Sequence, residues 1–305
     1  MQLIILGNGS GGPFHGRYYT AQVLKAGSHT FLIDCGEGTQ MQIFRHRVKF
    51  DGCKHFFISH LHGDHVFGLF GLITNWSLKK RTETLHLFSP PGLREMIETT
   101  LRVCGVRMSY ALEFHEVDAS VSAKVFENNA VEVWTIPLRH RNPTTGWLFR
   151  EKPKPRNIRP EKIAEYGLDF TQIKAAKAGA DLFLSDGSNI PNAELTLEPR
   201  SPVSYAFCSD TAFAPEIAEI VRGVDVLYHE ATFTEQHAAE AELSYHSTAA
   251  QAAEIARMAE VKRLLLGHIS GRYADAELHL AEARAIFEPT ELADADRAVW
   301  LDLGV

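Results

Sequence analysis

One short segment, Ser59–His65 (SHLHGDH), constrains this chain more than any other. It places His60, His62, Asp64 and His65 within six residues, after an apolar run that predicts a strand and before one that predicts a helix. Side chains two apart on a strand point the same way, so His60 and His62 should share a face. Gly63 permits the turn that returns Asp64 and His65 towards them. Such a loop can surround two cations and is too compact for one tetrahedral site.

Three more residues of ligand type stand where predicted strands end. His140, Asp210 and His268 each follow a strand, which is where layered α/β proteins place their sites. Any one of them alone could be a polar loop residue or a cap. Three in succession, downstream of the first segment, indicate one shared site.

The donor set is made of imidazole nitrogens and carboxylate oxygens, without thiolates. This mixture suits Zn²⁺, and also Mn²⁺ or Fe²⁺ where carboxylates and water fill positions. Two such ions sharing a carboxylate hold a hydroxide at neutral pH and stabilise an anionic transition state. The sequence therefore predicts two Zn²⁺ ions per chain and hydrolytic chemistry.

Further residues could handle protons or phosphate, although none has a ligand pattern. Glu230 ends a predicted strand, and His246 begins a predicted helix, with Ser247 or His246 near its N-cap. Each could equally be an ordinary strand-end turn or helix cap. Arg272, four residues after His268, could bind phosphate through two parallel hydrogen bonds, or be a surface arginine. The glycine-rich segment Gly7–Gly12 lacks a Walker lysine and is interpreted as a tight loop beside the site.

The alternation of short strands with helical patterns predicts an α/β fold. We expect two packed sheets covered by helices on both outer faces, a four-layer αββα sandwich in a single domain, 1–305. Residues 150–200 contain five prolines, many charges and weak periodicity, and are predicted to form an excursion, or arm, inserted into that domain. Within it, 150–177 carry eight basic and four acidic residues.

Composition narrows the function classes. The net charge of −7 excludes a nonspecific polyanion binder, so a nucleic-acid partner needs a local basic patch. No apolar stretch approaches the roughly 18 residues of a membrane helix, and the N-terminus does not resemble a secretory signal. The four cysteines show no C-x-x-C pair and are expected to be reduced and mostly buried. These features predict a cytoplasmic protein without a membrane partner.

The chain resembles the metallo-β-lactamase superfamily and, within it, the ribonuclease Z family, whose members trim the 3′ end of precursor tRNA. The superfamily resemblance rests on Asp34–Gly38 (DCGEG), the H-x-H-x-D-H segment, His140, Asp210 and His268. The narrower resemblance rests on five strings: DCGEGTQ (34–40), SHLHGDHVFGLFGL (59–72), HEATF (229–233), HSTAAQAA (246–253) and KRLLLGHISGRY (262–273). The strings are spread over almost the full length of the chain apart from the stretch 150–200.

The resemblance implies an assignment for each site residue. One metal would be bound by His60, His62 and His140, and the other by Asp64, His65 and His268, with Asp210 bridging. Glu230 and His246 would form a pair that assists proton transfer. The resemblance also implies a homodimer whose arm clamps precursor tRNA over the partner's site. The segment Gly167–Lys174 departs from the family pattern because it contains no Gly-Pro.

The leading hypothesis is a zinc-dependent endoribonuclease that removes the 3′ trailer from precursor tRNA. In it, metal-activated hydroxide attacks phosphorus, His246 held by Glu230 protonates the leaving oxygen, Asp64 orients or deprotonates the water, and Arg272 binds substrate. The alternatives are a hydrolase of the same superfamily acting on a small phosphodiester or other ester, and a non-catalytic RNA-binding relative.

Overall fold

The computed structural model describes residues 1–184 and 187–293, together with the backbone of Leu301 and Asp302. The chain divides into two compact units, one formed by Met1–Arg150 with Val203–Val305 and the other by Glu151–Pro202. Whether the chain is one domain with an inserted arm stays a prediction.

The elements of the first unit, up to its interruption, alternate short strands with helices. They are β1 (Gln2–Gly7), β2 (Gly9–Ser10), a 3₁₀ turn (Phe14–Gly16), β3 (Ala21–Ala26), β4 (His29–Ile33), α1 (Thr39–Arg45), β5 (His55–Phe57), α2 (Gly63–Val66), α3 (Gly68–Leu78), β6 (Leu85–Ser89), α4 (Leu93–Val103), β7 (Leu112–Glu116), β8 (Lys124–Glu127), β9 (Val131–Pro137) and β10 (Thr145–Glu151).

The second unit consists of short elements around a small apolar cluster of its own. They are β11 (Asn157–Ile158), α5 (Pro160–Tyr166), α6 (Phe170–Lys177), β12 (Leu182–Phe183), β13 (Asn189–Ile190), α7 (Asn192–Leu195) and β14 (Thr196–Leu197). Leu168, Ala176, Leu182 and Leu195 are its buried residues. Helix α6 begins with a capping box between Asp169 and Gln172, which satisfies two backbone N–H groups at its start.

The first unit then resumes with alternating strands and helices. They are β15 (Ser204–Cys208), α8 (Ile217–Ile220), β16 (Val226–Glu230), a 3₁₀ turn (Glu235–His237), α9 (Ala238–Ser244), α10 (Ala249–Met258), β17 (Arg263–Gly267), β18 (Ile269–Ser270), α11 (Glu277–Ile286), β19 (Thr290–Leu292) and β20 (Leu301–Asp302).

Two seven-stranded sheets organise the first unit. One has the order β20-β1-β3-β4-β5-β6-β7, and the other β19-β17-β16-β15-β10-β9-β8. Strands β4 to β7 run parallel, and so do β15, β16, β17 and β19. Parallel strands end at one edge of a sheet, so the loops after them lie together there.

Three apolar layers hold the two sheets and their helices. Residues of both sheets, among them Phe31, Phe57, Trp147 and Phe207, form a central cluster between the sheets. A second cluster joins one sheet to α8, α10 and α11, and a third joins the other sheet to α1, α3 and α4. Helices outside two packed sheets are the αββα arrangement, so the predicted fold class is confirmed.

Element boundaries differ from the predictions mainly at helix starts. The helix predicted from His246 begins at Ala249, because Thr248 and not Ser247 or His246 is its N-cap. Thr248 accepts a hydrogen bond from the Gln251 N–H, and Gln251 reaches back to the Thr248 N–H. This leaves His246 in the loop before the helix. The strand predicted over 298–303 lies mostly outside the described residues. The part that is described, Leu301–Asp302, is a strand.

The cysteines and the helices bear on two expectations from composition. The four cysteines are free; Cys35, Cys53 and Cys208 are buried, whereas Cys104 is exposed. Within the described ranges, no helix combines the length and apolar character that crossing a membrane requires.

Candidate metal centre and active site

The loop after β5 is held in place by a second loop, the one after β4. The Gly36 N–H bonds to Thr20, and a Cβ atom at Gly36 would lie 2.3 Å from the Asp64 carbonyl oxygen. The Gly68 N–H donates to the Cys35 carbonyl at 2.9 Å, where a Cβ atom would collide with Gly36. The two glycines therefore permit a close backbone approach that holds the His60–His65 loop and the start of α3 against the loop after β4.

A first group of donor atoms converges from three loops. His60 Nε2 lies 3.0 Å from His62 Nδ1, which lies 3.3 Å from His140 Nε2. The Oδ2 oxygen of Asp210 lies 3.5 Å from His60 Nε2 and 3.9 Å from His140 Nε2. Donors bound to one tetrahedral zinc ion at about 2.0–2.1 Å lie about 3.3 Å apart, so these four atoms fit one ion.

A second group lies on the other side of Asp210. His65 Nε2 and His268 Nε2 are 3.3 Å apart, and Asp64 Oδ2 lies 3.7 Å from the first and 3.5 Å from the second. The Oδ1 oxygen of Asp210 lies 3.3 Å from His65 Nε2 and 3.2 Å from His268 Nε2. Because its two oxygens face different groups, the Asp210 carboxylate stands between two cation-sized positions.

In four of these histidines, the ring nitrogen that points away from the centre, Nδ1, is hydrogen-bonded to another group of the protein. His65 Nδ1 lies 2.7 Å from Asp34 Oδ2, and His140 Nδ1 lies 2.9 Å from the Tyr245 carbonyl oxygen. Both partners are acceptors, so Nδ1 carries the hydrogen. In its neutral form each ring therefore presents the lone pair of Nε2 to the centre, which is the orientation that a metal ligand needs.

Serine and threonine hydroxyl groups fix the rings of the other two histidines, His60 and His268, in the same way. Ser59 Oγ donates to Asp34 Oδ2 at 2.8 Å and lies 3.0 Å from His60 Nδ1. Thr232 Oγ1 donates to Glu230 Oε2 at 2.7 Å and lies 2.9 Å from His268 Nδ1. A hydroxyl that has given its hydrogen to a carboxylate can only accept from the imidazole, so these rings also turn Nε2 inward.

Burial and mutual proximity set the protonation of the cluster. Burial lowers the pKa of His60 well below its usual range, and it also lowers the pKa values of His62 and His140. Burial opposes charge on His65 too, but Asp210 and Asp34 outweigh it and raise the pKa of His65 well above its usual value. Burial likewise disfavours the charged form of Asp210, yet the surrounding histidines hold its pKa well below the usual range.

A buried carboxylate and a histidine stand beside the cluster. Glu230, fully buried at the end of β16, accepts hydrogen bonds from the Thr211 and Thr232 N–H groups and from His246 Nδ1 at 2.8 Å. Burial alone would lower the pKa of His246, but the Glu230 carboxylate overcomes it and raises that pKa to about 9. A ring nitrogen of His246 lies within 4.8 Å of donor atoms of Asp210 and His268. The geometry therefore provides a charged imidazole at the edge of the two cation positions.

The glycine-rich loop after β1 does lie beside this cluster. The Gly11 N–H donates to Asp64 Oδ2 at 3.1 Å, and Gly11 has a φ of +67°, which favours glycine. The Arg272 guanidinium pairs with Glu240 at 3.4 Å and lies over the Phe233 ring. Its role in substrate binding stays a prediction.

Sequence reasoning missed the groups behind the histidines. Asp34, Ser59 and Thr232 lie inside the strings DCGEGTQ, SHLHGDH and HEATF, but only as letters of a motif without assigned roles. Asp34 is 31 residues from His65 and Thr232 is 36 residues from His268, so no local spacing reveals either pair. Tyr245 was missed because the short helix α9, which it follows in a left-handed conformation, was not predicted.

Comparisons with known proteins agree with this geometry. Residues 1–153 match the family model described as Anti-Pycsar protein Apyc1, and residues 153–269 match the beta-lactamase superfamily domain. Ribonuclease Z of Bacteroides thetaiotaomicron is 44% identical over 302 residues, covering 99% of this chain and 95% of the relative. This chain belongs to the ribonuclease Z family.

Two further matches bear on the family and the fold. Ribonuclease Z of Porphyromonas gingivalis is 44% identical over 290 residues, covering 95% of each chain. The crystal structure of human tRNase Z, short form, superposes with a TM-score of 0.71 over 100% of both chains at 23% identity, which shows a shared fold. The predicted family and the metallo-β-lactamase fold are confirmed, and with them the class of metal-dependent endoribonuclease. The individual ligand and proton-transfer roles stay predictions.

Proposed function

We propose that this protein is a zinc-dependent endoribonuclease that removes the 3′ trailer from precursor tRNA. The observation that carries the proposal is the Asp210 carboxylate between two sets of inward-facing donors, with the His246–Glu230 pair at its edge. A ribonuclease Z family member with this arrangement has the groups needed to hydrolyse a phosphodiester and protonate the oxygen that leaves.

The donor chemistry fits two zinc ions. His60, His62 and His140 would hold one, and Asp64, His65 and His268 the other, with Asp210 shared. The set contains nitrogen and carboxylate donors without thiolate, which suits Zn²⁺ and also admits Mn²⁺ or Fe²⁺. When bound, the ions would activate water at neutral pH and stabilise negative charge on the phosphate.

The protein's own residues supply the remaining steps. Asp64 Oδ2, held by the Gly11 N–H, orients the attacking water. His246 donates a proton to the leaving O3′ as the P–O3′ bond breaks, while Glu230 keeps the ring charged and aimed. Arg272 stacks on Phe233 and is exposed enough to exchange Glu240 for a substrate phosphate.

The unit Glu151–Pro202 has the surface expected of an RNA-gripping arm. Pro153, Lys154, Phe170, Ile173, Lys174 and Lys177 line one depression, and Phe170 is 82% exposed. Lysines bind phosphates, and exposed aromatic rings stack on unpaired bases. This surface supports tRNA gripping in a protein whose net charge is negative.

We place the enzyme in the cytoplasm as a homodimer. Three large apolar side chains on the first unit are more than half exposed: Met41 and Phe44 on α1, and Phe67, which precedes α3. Their exposure supports a protein partner for this unit. Light-scattering mass in solution tests the dimer, and a monomer at micromolar concentration contradicts it.

The decisive experiment is cleavage of a precursor tRNA that carries a 3′ trailer. The expected result is one cut after the acceptor stem, leaving a 3′ hydroxyl on the tRNA and a 5′ phosphate on the trailer. A small phosphodiester serves as the second substrate. Hydrolysis of the small diester without tRNA cleavage would indicate the alternative hydrolase, and metal-free, inactive protein that still binds tRNA would indicate the non-catalytic relative.

Replacing residues 152–201 by a short Gly/Ser linker tests the arm. This boundary spares Arg150, which pairs with Ser204 in the sheet. We expect kcat/KM on precursor tRNA to fall at least about tenfold and its salt dependence to flatten, because phosphate contacts are lost. Hydrolysis of the small diester should stay within a few-fold.

A variant that removes lysine charges but keeps the segment distinguishes the effect of phosphate contacts from the effect of losing the whole segment. Replacing Lys154, Lys174 and Lys177 by alanine should reproduce part of the loss. The matched triple replacement of the exposed Lys49, Lys80 and Lys124 on the first unit should not. Unchanged tRNA cleavage and salt slope in both arm variants would show that the segment is an ordinary solvated loop.

A further inference from the structure

A second group of metal-type ligands lies outside the active site, on the first sheet. His86 is on β6, and Glu113 and His115 are on β7, the edge strand of that sheet. His86 is paired in register with Glu113, and Phe88 with His115, so the three side chains start from adjacent positions on neighbouring strands. Neither the catalytic proposal nor the family resemblance gives these residues a role.

The spacing of the three donors matches that of the proposed catalytic cluster, the two donor groups that share Asp210. His86 Nδ1 lies 3.2 Å from His115 Nε2 and 3.2 Å from Glu113 Oε2. Within the catalytic groups, facing imidazole nitrogens lie between 3.0 and 3.3 Å apart. The ring centroids of His86 and His115 are 5.4 Å apart, against 5.2 Å for His65 and His268. Donors of one tetrahedral ion lie about 3.3 Å apart, so a single cation can bind all three atoms.

A proton satisfies this arrangement less completely than a cation does. The single N–H at His86 Nδ1 can point at His115 or at Glu113, not at both. Burial, reinforced by the facing His86, lowers the pKa of His115, so its lone pair is available at neutral pH. A divalent cation accepts electron pairs from both imidazoles and from the carboxylate at once.

Neighbouring rings hold the two imidazoles in this orientation. His55 stacks on His86 with centroids 5.1 Å apart, and Phe88 stacks on His115 with centroids 4.4 Å apart and planes 12° from parallel. Ligands that are fixed before the ion arrives lose little freedom on binding it. The side chain of Glu113 is about half exposed, which leaves room for water in the remaining coordination positions.

We propose that His86, Glu113 and His115 form a peripheral site for a divalent transition-metal ion of the zinc type, separate from the catalytic cluster. Two nitrogens and one carboxylate oxygen, completed by water, are a donor set that Zn²⁺ accepts. The ion would connect the edge strand β7 to β6. An edge strand has unpaired backbone groups that can form hydrogen bonds with a strand of another chain.

The test is a comparison of zinc content between variants, measured by elemental analysis after equilibration with buffered free Zn²⁺. The wild-type protein should bind one zinc ion per chain more than His115→Phe, which keeps a ring to stack on Phe88 but has no nitrogen donor. His29→Asn is the matched control, because His29 lies on the same sheet and its imidazole bonds to the Asn129 side chain at 2.9 Å; this variant should bind as much zinc as the wild type. Cleavage activity should stay within about twofold in both variants, which also reports that they fold.

Equal zinc content in the wild type and in His115→Phe over the whole range of free Zn²⁺ would overturn the proposal, and the pair would then be a hydrogen bond. Glu113→Gln provides a second comparison whose exposed position carries little of the fold. It should weaken binding of the additional zinc ion at least tenfold. The zinc held by the catalytic cluster, which is the amount measured in His115→Phe, should be unchanged. Because the readout is a difference between variants, it does not depend on the number of ions in the catalytic cluster or on the substrate.

Discussion

The catalytic cluster and the peripheral group on β6 and β7 use the same donor types at the same spacing, yet they are built differently. Behind His60, His65, His140 and His268 stands a bound carboxylate, hydroxyl or carbonyl group. His86 and His115 are held by stacked rings instead. Outer hydrogen bonds fix the tautomer and raise the basicity of a ligand, whereas stacking fixes only the direction of the ring. Tight binding and catalysis are thus expected where the outer partners are, and weak, exchangeable binding where they are absent.

The largest effect should follow from removing the residue shared by both catalytic groups. Asp210→Asn weakens both cation positions, because each of its oxygens faces a different set of nitrogens. We expect the zinc content of the catalytic cluster to fall below one ion per chain. The cleavage rate should fall further than in variants of His246, Asp34 or Glu230. Elemental analysis and cleavage assays measure this; full zinc content in the variant would contradict a bridging carboxylate.

His246→Ala should be next in size. Loss of a general acid costs about 10²–10⁴ in rate, and the zinc content should be unchanged because the ring is outside the two ligand sets. With a nitrophenyl ester, whose leaving group needs no proton, the loss should shrink. Equal losses on the ester and on precursor tRNA would show that His246 only positions the phosphate.

A smaller effect should come from a residue that touches no cation position. Asp34→Asn weakens the acceptor that fixes His65 and the Ser59 hydroxyl, and changes of this kind typically cost about 10–100-fold in metal affinity or activity. Asp225→Asn is the control, since that carboxylate is also hydrogen-bonded, and is partly buried where Asp34 is fully buried, but it serves Ser204 and Lys262. If both variants bind zinc equally well, outer partners are not what distinguishes the catalytic cluster.

The mildest expected change is a displaced pH profile in Glu230→Gln. In the proposed mechanism His246 acts in its charged form, so activity is expected below its pKa and should be lost as the pH rises through it. The Glu230 carboxylate raises that pKa to about 9, and removing its charge must lower the value. The alkaline limb of kcat should therefore move to lower pH. An unmoved limb would assign that ionisation to another group.

The sequence was sufficient for the fold and for the residues that face the centre. Apolar runs and the punctuation after them located the strands whose ends carry His140, Asp210 and His268, because strand ends and ligand-type residues are both local signals. The supporting pairs were not accessible in this way. Asp34 with His65 and Thr232 with His268 depend on how loops from distant parts of the chain cross, which no periodicity records.

Helix starts show the same limit on a smaller scale. Ser247 and Thr248 are both good capping residues, and the sequence favoured the earlier position. The structure selects Thr248, since only it has Gln251 three residues on to complete the reciprocal bonds, while Ser247 Oγ donates to the Thr211 carbonyl at 2.7 Å. That distant contact frees His246 from the helix and leaves it beside Glu230.

The arrangement of histidine nitrogens in the catalytic cluster should also affect the lifetime of the protein in a cell. Burial lowers the pKa values of His60, His62 and His140, and their facing nitrogens, 3.0 and 3.3 Å apart, repel one another until a cation lies between them. A ligand that binds only the folded state adds about 2.7 kcal/mol of stability at a hundred times its dissociation constant. Newly made chains that acquire zinc should therefore outlast those that do not under proteolysis, so that metal supply sets the amount of this protein as well as its activity.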